Sequence, residues 1–263
     1  MAGTSRRRLD TSVPHPARVW DYWLGGTDNF APDRAVGDAI TAVCPQLPII
    51  ARAERQFIGR SVTLLAGDLG VDQFLDIGTG VPTAGNTHLV AQKVNPAARI
   101  VYVDNDPMVL VHARDLLDST PEGATDYLDA DLRDPDPVLQ AASDILDFAR
   151  PIGLMLMGVV DFVADDTLAS DAVNTLVDAL APGSYVAIAS STPSAEMDRA
   201  AEVWHAHGGT PIVLRDPDHL ARFFEGLELL EPGVVSLPKW RPDAATDYID
   251  REVCQYGGVG RKP

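Results

Sequence analysis

From residue 73 onward, short and almost wholly apolar runs alternate with longer stretches in which apolar residues recur every three or four positions. The short runs read as strands at 73–77, 99–103, 125–128, 152–157, 184–189, 227–230 and 252–257. The stretches between them read as helices at 84–93, 107–117, 137–148, 166–180, 194–207 and 216–224. Pro107 opens the second of these, a residue that suits a first helical turn. Residues 241–250 read as a long connection. This sustained alternation predicts an α/β domain around a mostly parallel sheet. The last two runs have little helix between them and predict an antiparallel pair at the edge. Residues 18–68 read instead as helical throughout. Val19, Trp20, Trp23 and Leu24 share helical spacing, and Gly25-Gly26 stops the turn. Helices follow at 33–43 and 49–69, with Pro45 and Pro48 separating them. The first seventeen residues, basic at Arg6 to Arg8 and broken by Pro14 and Pro16, read as a flexible arm.

Ligands of open α/β sheets bind beyond the carboxyl ends of the strands, so those ends hold the candidate chemistry. The first reads Asp76-Ile77-Gly78-Thr79-Gly80-Val81-Pro82-Thr83. Its glycines let the backbone turn tightly and approach a ligand. A carboxylate here would repel a dinucleotide pyrophosphate, and the third glycine of that signature falls on Thr83. An acid at this place suits a ligand bearing an ammonium group. The second end, Val103-Asp104-Asn105-Asp106-Pro107, offers Asp104 as acceptor for two ribose hydroxyls and Asp106 as a helix N-cap. At the third, Asp131 is placed to accept from an adenine amine with Leu132 flanking the ring; a solvated acidic loop is the plainer alternative. At the fourth, Asp161 stands near a reacting centre or caps the next turn.

Composition narrows the field. The 263 residues carry 38 acidic against 21 basic side chains, a net charge of −17. Such a field disfavours phosphate backbones, so nucleic acid is not an expected partner. Cys44 and Cys254 stand far apart and form no metal-ligating pair. No metal is expected. The apolar run 151–160 is too short for a bilayer, and no secretory segment opens the chain, so a soluble cytoplasmic protein is expected.

Asp76-Ile-Gly-Thr-Gly, Val103-Asp104-Asn-Asp-Pro and Asp129-Ala-Asp131-Leu, in that order on successive strands, resemble the Rossmann-like S-adenosylmethionine-dependent methyltransferases. The segment Ala17-Arg18-Val-Trp-Asp-Tyr22-Trp23-Leu-Gly25-Gly26-Thr-Asp28-Asn29-Phe30 narrows this to a bacterial, largely actinobacterial, family of such enzymes. Gly208-Gly-Thr-Pro-Ile-Val-Leu-Arg215 and the tail from Tyr256 resemble the same family. The resemblance implies a doubly wound, mostly parallel seven-stranded sheet with an antiparallel edge strand and an N-terminal helical extension. It implies an arm at 1–17, a helical cap at 18–70 and the cofactor-binding domain at 71–263.

By the same resemblance, Asp76, Gly78, Thr79 and Gly80 hold the methionine part of S-adenosylmethionine. Asp104 holds the ribose with Asn105 and Met108 nearby, Asp131 and Leu132 frame the adenine, and Met157 floors the methionine pocket. Arg18, Tyr22 and Gly25 belong to a segment folded over the cofactor. Two departures stand out: Pro82 replaces the family's third glycine, and the stretch from Gly80 to Asp104 exceeds the ordinary spacing of about twenty residues.

The expected reaction is in-line methyl transfer to a small-molecule acceptor. Such a site needs no general base; where one is required, Asp161, His205, His207 and Tyr22 are candidates. Trp20 and Trp23 suit core packing at least as well as substrate stacking. A cofactor-binding protein without turnover and a nicotinamide-dependent oxidoreductase are the competing functions. An exposed terminal strand would permit pairing into a homodimer.

Overall fold

The computed structural model describes residues 10–81, 85–109 and 119–263. Three helices come first: α1 (Pro16–Trp23), α2 (Ala31–Val43) and α3 (Leu47–Thr63), the last running into a wider turn at Leu64–Asp68. Then β1 (Gln73–Ile77), α4 (Thr87–Val94), β2 (Arg99–Asp104), β3 (Ala124–Asp129), α5 (Pro135–Ala142), β4 (Gly153–Met157), α6 (Asp166–Ala179) and β5 (Tyr185–Ser191) alternate. Helices α7 (Ala195–Ala206) and α8 (Pro217–Arg222) precede β6 (Glu228–Leu229), β7 (Val235–Ser236) and β8 (Gln255–Arg261).

Proline sets several helix starts, standing in the first turn of α1, α2, α3, α5 and α8. Its missing N–H has no helical acceptor there anyway. Pro48 therefore begins α3 rather than breaking the chain before it, and α3 starts two residues earlier than its pattern predicts. The expected helix at 107–117 is described only over 107–109, and the first residue of the one at 84–93 also lies outside the described residues.

The sheet runs β3-β2-β1-β4-β5-β8-β6, with β7 also paired to β8. Strands β1 to β5 are parallel to their neighbours, and β8 is antiparallel to β5, β6 and β7. The mostly parallel α/β sheet with an antiparallel edge holds, but with eight strands instead of seven. The short β7 was missed, and β8 lies at 255–261 rather than 252–257. Gly257 and Gly260 are packed strand positions. A Cβ on Gly257 would stand 2.8 Å from the Ile188 carbonyl oxygen, and one on Gly260 3.0 Å from Leu227 and Phe224.

Apolar layers cover both faces. One face packs on α1 to α4 and α7 through residues such as Phe57, Phe74, Met155 and Trp240. The other packs on α5, α6 and α8 through Leu75, Val103, Leu154 and Ile188. Every residue of β1, β4 and β5 is buried, as continuous apolar runs predict. Among the described residues no helix is long and apolar enough to cross a membrane.

Candidate active site

With β2 on one side of β1 and β4 on the other, the strand order reverses direction at β1, where doubly wound sheets open a crevice. A cavity of about 210 Å³ lies there, bounded by the loops after β1, β2, β3 and β4, by α1 and α3, and by α7.

The loop after β1 is fixed by backbone bonds. Gly78 N–H donates to the Val103 carbonyl at 2.8 Å, tying β1 to β2. Gly78 has φ +77, and a Cβ there would stand 2.4 Å from the Cβ of Val159, so the loops after β1 and β4 interlock at a point that admits only glycine. Gly80 N–H donates to Asp104 Oδ2 at 2.8 Å, and Asp106 N–H donates to Asp104 Oδ1 at 2.9 Å. Each Asp104 oxygen keeps a further lone pair. Asp76 accepts from Thr87 Oγ1 at 2.6 Å. Burial pushes the Asp76 carboxyl up to about 6, against the pull of the Thr87 bond and of Arg55. Burial pushes Asp104 up as well.

Across the crevice, Asn105 Nδ2 donates to Asp131 Oδ2 at 3.0 Å, and Arg133 grips the same carboxylate at 2.8 and 2.5 Å. Burial pushes Asp131 up, but these bonds outweigh it and hold its carboxyl well below the usual range. Asn105, Asp131 and Leu132 all line the cavity. Asp106 has the capping role read from sequence, accepting from Met108 N–H at 2.9 Å. Met108 itself is buried and is not on the cavity wall.

Helix α1 lies along the cavity and presents Ala17, Trp20, Asp21 and Trp23 to it. Trp20 and Trp23 meet edge to face at 5.5 Å, and both also belong to the core. Trp23 Nε1 donates to the Gly37 carbonyl, whereas the buried Trp20 Nε1 has no partner. Arg18 faces elsewhere. Its terminal nitrogens donate to the Asp10 and Val13 carbonyls, its Nε stands 3.6 Å from both Asp33 and Asp106, and its guanidinium covers Phe30 at 5.4 Å. His15 Nδ1 lies 3.0 Å from Asp106 Oδ2, a second tie between this segment and the sheet domain. Tyr22 donates its hydroxyl to Asp38 at 2.6 Å on the outer side of α1, and Gly25 at φ +83 ends the helix in open space. Arg18, Tyr22 and Gly25 thus stand off the cavity, while Asp76, Gly78, Thr79, Gly80, Asp104, Asn105, Asp131, Leu132 and Met157 line it.

The wall toward β4, β5 and β8 holds residues that sequence reasoning missed. Glu54 and Arg55 project from α3 and Gln255 from the start of β8. Gln255 Nε2 donates to Glu54 Oε2, while Gln255 Oε1 and Arg55 Nε are buried without partners among the described residues. Burial pushes Glu54 up to about 7 despite Arg55 and Gln255, with Asp161 and Asp76 adding to the rise. The signal available in sequence was slight: Glu54 interrupts the apolar stripe Ile50, Ala51, Phe57, Ile58 of α3.

Asp161 lines the cavity from the turn Val159–Phe162. It accepts from Ser190 Oγ at 2.5 Å and Ser191 N–H at 2.9 Å, and burial pushes it up to about 6. Arg215 braces that turn by donating to the Val160 and Val163 carbonyls at 2.8 Å. His205 accepts from Ile212 N–H, and His207 Nδ1 lies 2.8 Å from the Val203 carbonyl; neither reaches the cavity. Among the described residues no group of three or more His, Cys, Asp or Glu side chains is placed to hold a metal ion.

A family profile described as S-adenosyl methyltransferase matches residues 2–263. No curated protein matches the chain. Among solved structures, the chain is 46% identical to a DUF574-family protein from Streptomyces avermitilis, over 97% of this chain and 100% of that one, with a TM-score of 0.93. It is 41% identical to a candidate methyltransferase from Thermobifida fusca over 97% of both chains, with a TM-score of 0.88. Magnesium protoporphyrin IX methyltransferase from Synechocystis, solved with bound S-adenosylhomocysteine, superimposes at a TM-score of 0.55 over 93% of both chains. At 13% identity that is a likeness of fold alone.

Proposed function

Because the chain belongs to the S-adenosyl methyltransferase family and is an S-adenosylmethionine-dependent methyltransferase, we propose how its cavity divides the work. The loops after β1, β2 and β3 would hold the cofactor, and the wall under α1, α3 and α7 would receive the acceptor. The observation that supports this most is the set of buried groups at the crevice: Asp76 and Asp104 on successive strand ends, and Arg55 Nε without a partner.

The cofactor carries an ammonium, a carboxylate, two ribose hydroxyls and an adenine, and the lining offers a counterpart to each. Asp76 takes the ammonium and Arg55 the carboxylate, beside the backbone of Gly78, Thr79 and Gly80. Asp104 takes the ribose hydroxyls on the lone pairs its two backbone bonds leave free. Asn105, oriented by Asp131, and Leu132 frame the adenine. Met157 floors the methionine chain. Arg18 ties α1 to α2 and to Asp106, so that residues 18–70 cap the domain at 71–263. When bound, S-adenosylmethionine supplies a methyl on a sulfonium sulfur that leaves with the bonding pair. The protein then has to align a nucleophile and exclude water. The acceptor is a small molecule, since the cavity is enclosed by α1 and the acidic chain suits no polyanion. Two free cysteines, Cys44 among them buried, accord with a cytoplasmic setting.

Calorimetric titration with S-adenosylmethionine, S-adenosylhomocysteine and NAD tests the assignment. The two sulfur nucleotides should bind and NAD should not. Asp104→Ala should weaken both by about 10- to 100-fold, the equivalent of about 1–3 kcal/mol for a buried polar partner lost. Binding of NAD alone, or of none of the three, overturns the cofactor site. Unchanged affinity in Asp104→Ala removes the ribose role.

A further inference from the structure

Glu54 and Gln255 are more than 200 residues apart in sequence yet meet inside the cavity. Gln255 is fully buried, spends its Nε2 on Glu54 Oε2, and leaves its own Oε1 unpartnered. Among the described residues, that is the one hydrogen bond the Glu54 carboxylate makes to a side chain. Gly158 at φ +66 leaves room for this arrangement, since a Cβ there would stand 3.2 Å from Glu54 Oε2. One acceptor, Gln255 Oε1, thus faces the cavity without a donor among the described residues, beside a carboxylate that takes a single side-chain bond. A buried acceptor in that state costs about 1–3 kcal/mol, an expense that a ligand bringing N–H donors offsets.

Gln255 enters the cavity from the sheet edge opposite the loops after β2 and β3, and Glu54 stands over β4 between the two. Gln255 pairs with Ser191 at the β5–β8 edge, and β4 and β5 lie between β1 and β8. At about 4.8 Å per strand, β8 runs about 14 Å from β1, the strand that carries Asp76. On the Glu54 side Phe162, Met197, Trp204 and Leu214 line the cavity, with Asp161, Ser191 and Thr210 as its polar members. The charges facing Glu54 are Arg55 from its own helix, Asp161 from the turn after β4 and Asp76 from β1. Arg215 in turn faces Asp161, so two arginines stand against three acids.

We propose that Glu54 and Gln255 form the acceptor site for the nitrogen of an apolar primary or secondary amine, so that the enzyme is an N-methyltransferase for such amines. This rests on the cofactor assignment above. The ammonium donates to the Glu54 carboxylate and to Gln255 Oε1, and the apolar body lies against Trp204, Met197 and Phe162. The ammonium passes one N–H proton to Glu54, which becomes the neutral acid. The bonding pair stays on nitrogen as the lone pair that attacks the methyl carbon. Burial, which pushes Glu54 up to about 7, fits it to accept that proton near neutral pH.

The test is titration of the protein saturated with S-adenosylhomocysteine, using 2-phenylethylamine against 2-phenylethanol and octylamine against octanol. Each amine should bind at least about tenfold tighter than its alcohol, the scale of one charge-assisted hydrogen bond. In Glu54→Gln, which keeps the shape and removes the charge, the preference should vanish while S-adenosylhomocysteine binds as before. Equal binding of amine and alcohol to the wild type, or no binding of either amine, overturns the proposal and needs no variant. Loss of S-adenosylhomocysteine affinity in Glu54→Gln also overturns it, because the carboxylate would then serve the cofactor's own ammonium. If the wild type binds no S-adenosylhomocysteine, the cofactor assignment falls first and takes this inference with it.

Discussion

The two walls of the cavity hold their polar groups in different states. On the wall made by the ends of β1 and β2, Asp104 already accepts from Gly80 and Asp106, Asp76 from Thr87, and Gly78 donates to Val103. On the wall made by α1, α3 and β8, Trp20 Nε1 and Gln255 Oε1 are buried with no partner among the described residues. The first wall is finished before any ligand arrives, so little ordering remains to be done on binding. The second carries buried polar groups that a ligand would satisfy. The contrast separates a pre-organised cofactor cradle from a wall whose complement is still to come.

The strongest way to break this contrast is to disturb the finished wall. Gly78→Val combines a left-handed backbone, costing about 1–3 kcal/mol for a residue with a side chain, with overpacking of about 1–3 kcal/mol against Val159. Thermal melting should show a loss of about 2–5 kcal/mol, with cofactor binding lost as well. Gly85→Ala is the matched control: its φ is +85, but among the described residues nothing stands within 4 Å of the added Cβ. It should cost only the backbone share, about 1–2 kcal/mol. Equal losses in the two variants would show that contact with Val159 does not hold the loops after β1 and β4 together.

The same contrast explains what could be read from the sequence. The cradle is local: Asp76, Gly78 and Gly80 lie within five residues, and each acid ends a strand that its apolar run announces. Physical constraints of that kind leave a pattern in a short window. The other wall gathers Trp20, Glu54, Trp204 and Gln255 from four distant segments, and only packing of α3 and α7 on the sheet brings them together. No window contains them, so none was singled out as a site except Trp20 as a stacking candidate. Arg18 and Tyr22 illustrate the converse. They sit in a distinctive segment, yet on α1 at helical spacing they point away from the face that Trp20 and Trp23 present to the cavity. The edge strand β8 starts three residues later than expected for a third reason: its glycines serve close packing and leave little apolar pattern to set its bounds.

A second, smaller effect concerns pH. Asp76 and Asp161 are pushed up to about 6 and Glu54 to about 7, all by burial, from ordinary values near 4. The folded protein therefore binds more protons than the unfolded chain between about pH 4 and 7, and stability falls as pH rises through that window. Asp106 and Asp131 act oppositely: burial raises each, but His15 and Arg133 respectively outweigh it, so their contribution is lost only on acidification below the ordinary range. The ligand-free protein should melt at a lower temperature at pH 8 than at pH 5, by a few kcal/mol in all. Glu54→Gln and Asp76→Asn should each flatten the slope, one from each wall. A melting temperature that rises from pH 5 to pH 8 would mean that these acids are ionised and paired, and the unfinished wall would lose its distinguishing property.

The smallest expected effect sharpens the boundary between the walls. Trp20 Nε1 is an orphaned donor, while its ring packs against Trp23 at 5.5 Å. Trp20→Phe removes the orphan and keeps most of the ring. Loss of an unsatisfied buried group offsets loss of ring volume, so the melting point should change by the equivalent of about 1 kcal/mol or less. If Trp20 belongs with Glu54 and Gln255, S-adenosylhomocysteine should bind the variant within about twofold of the wild type, a difference of about 0.4 kcal/mol. Its indole would then face the acceptor. A tenfold loss of S-adenosylhomocysteine affinity would instead give Trp20 Nε1 a partner on the cofactor. In that case α1 completes the cradle, and the division runs between α1 and α3 rather than between the strand ends and the helices.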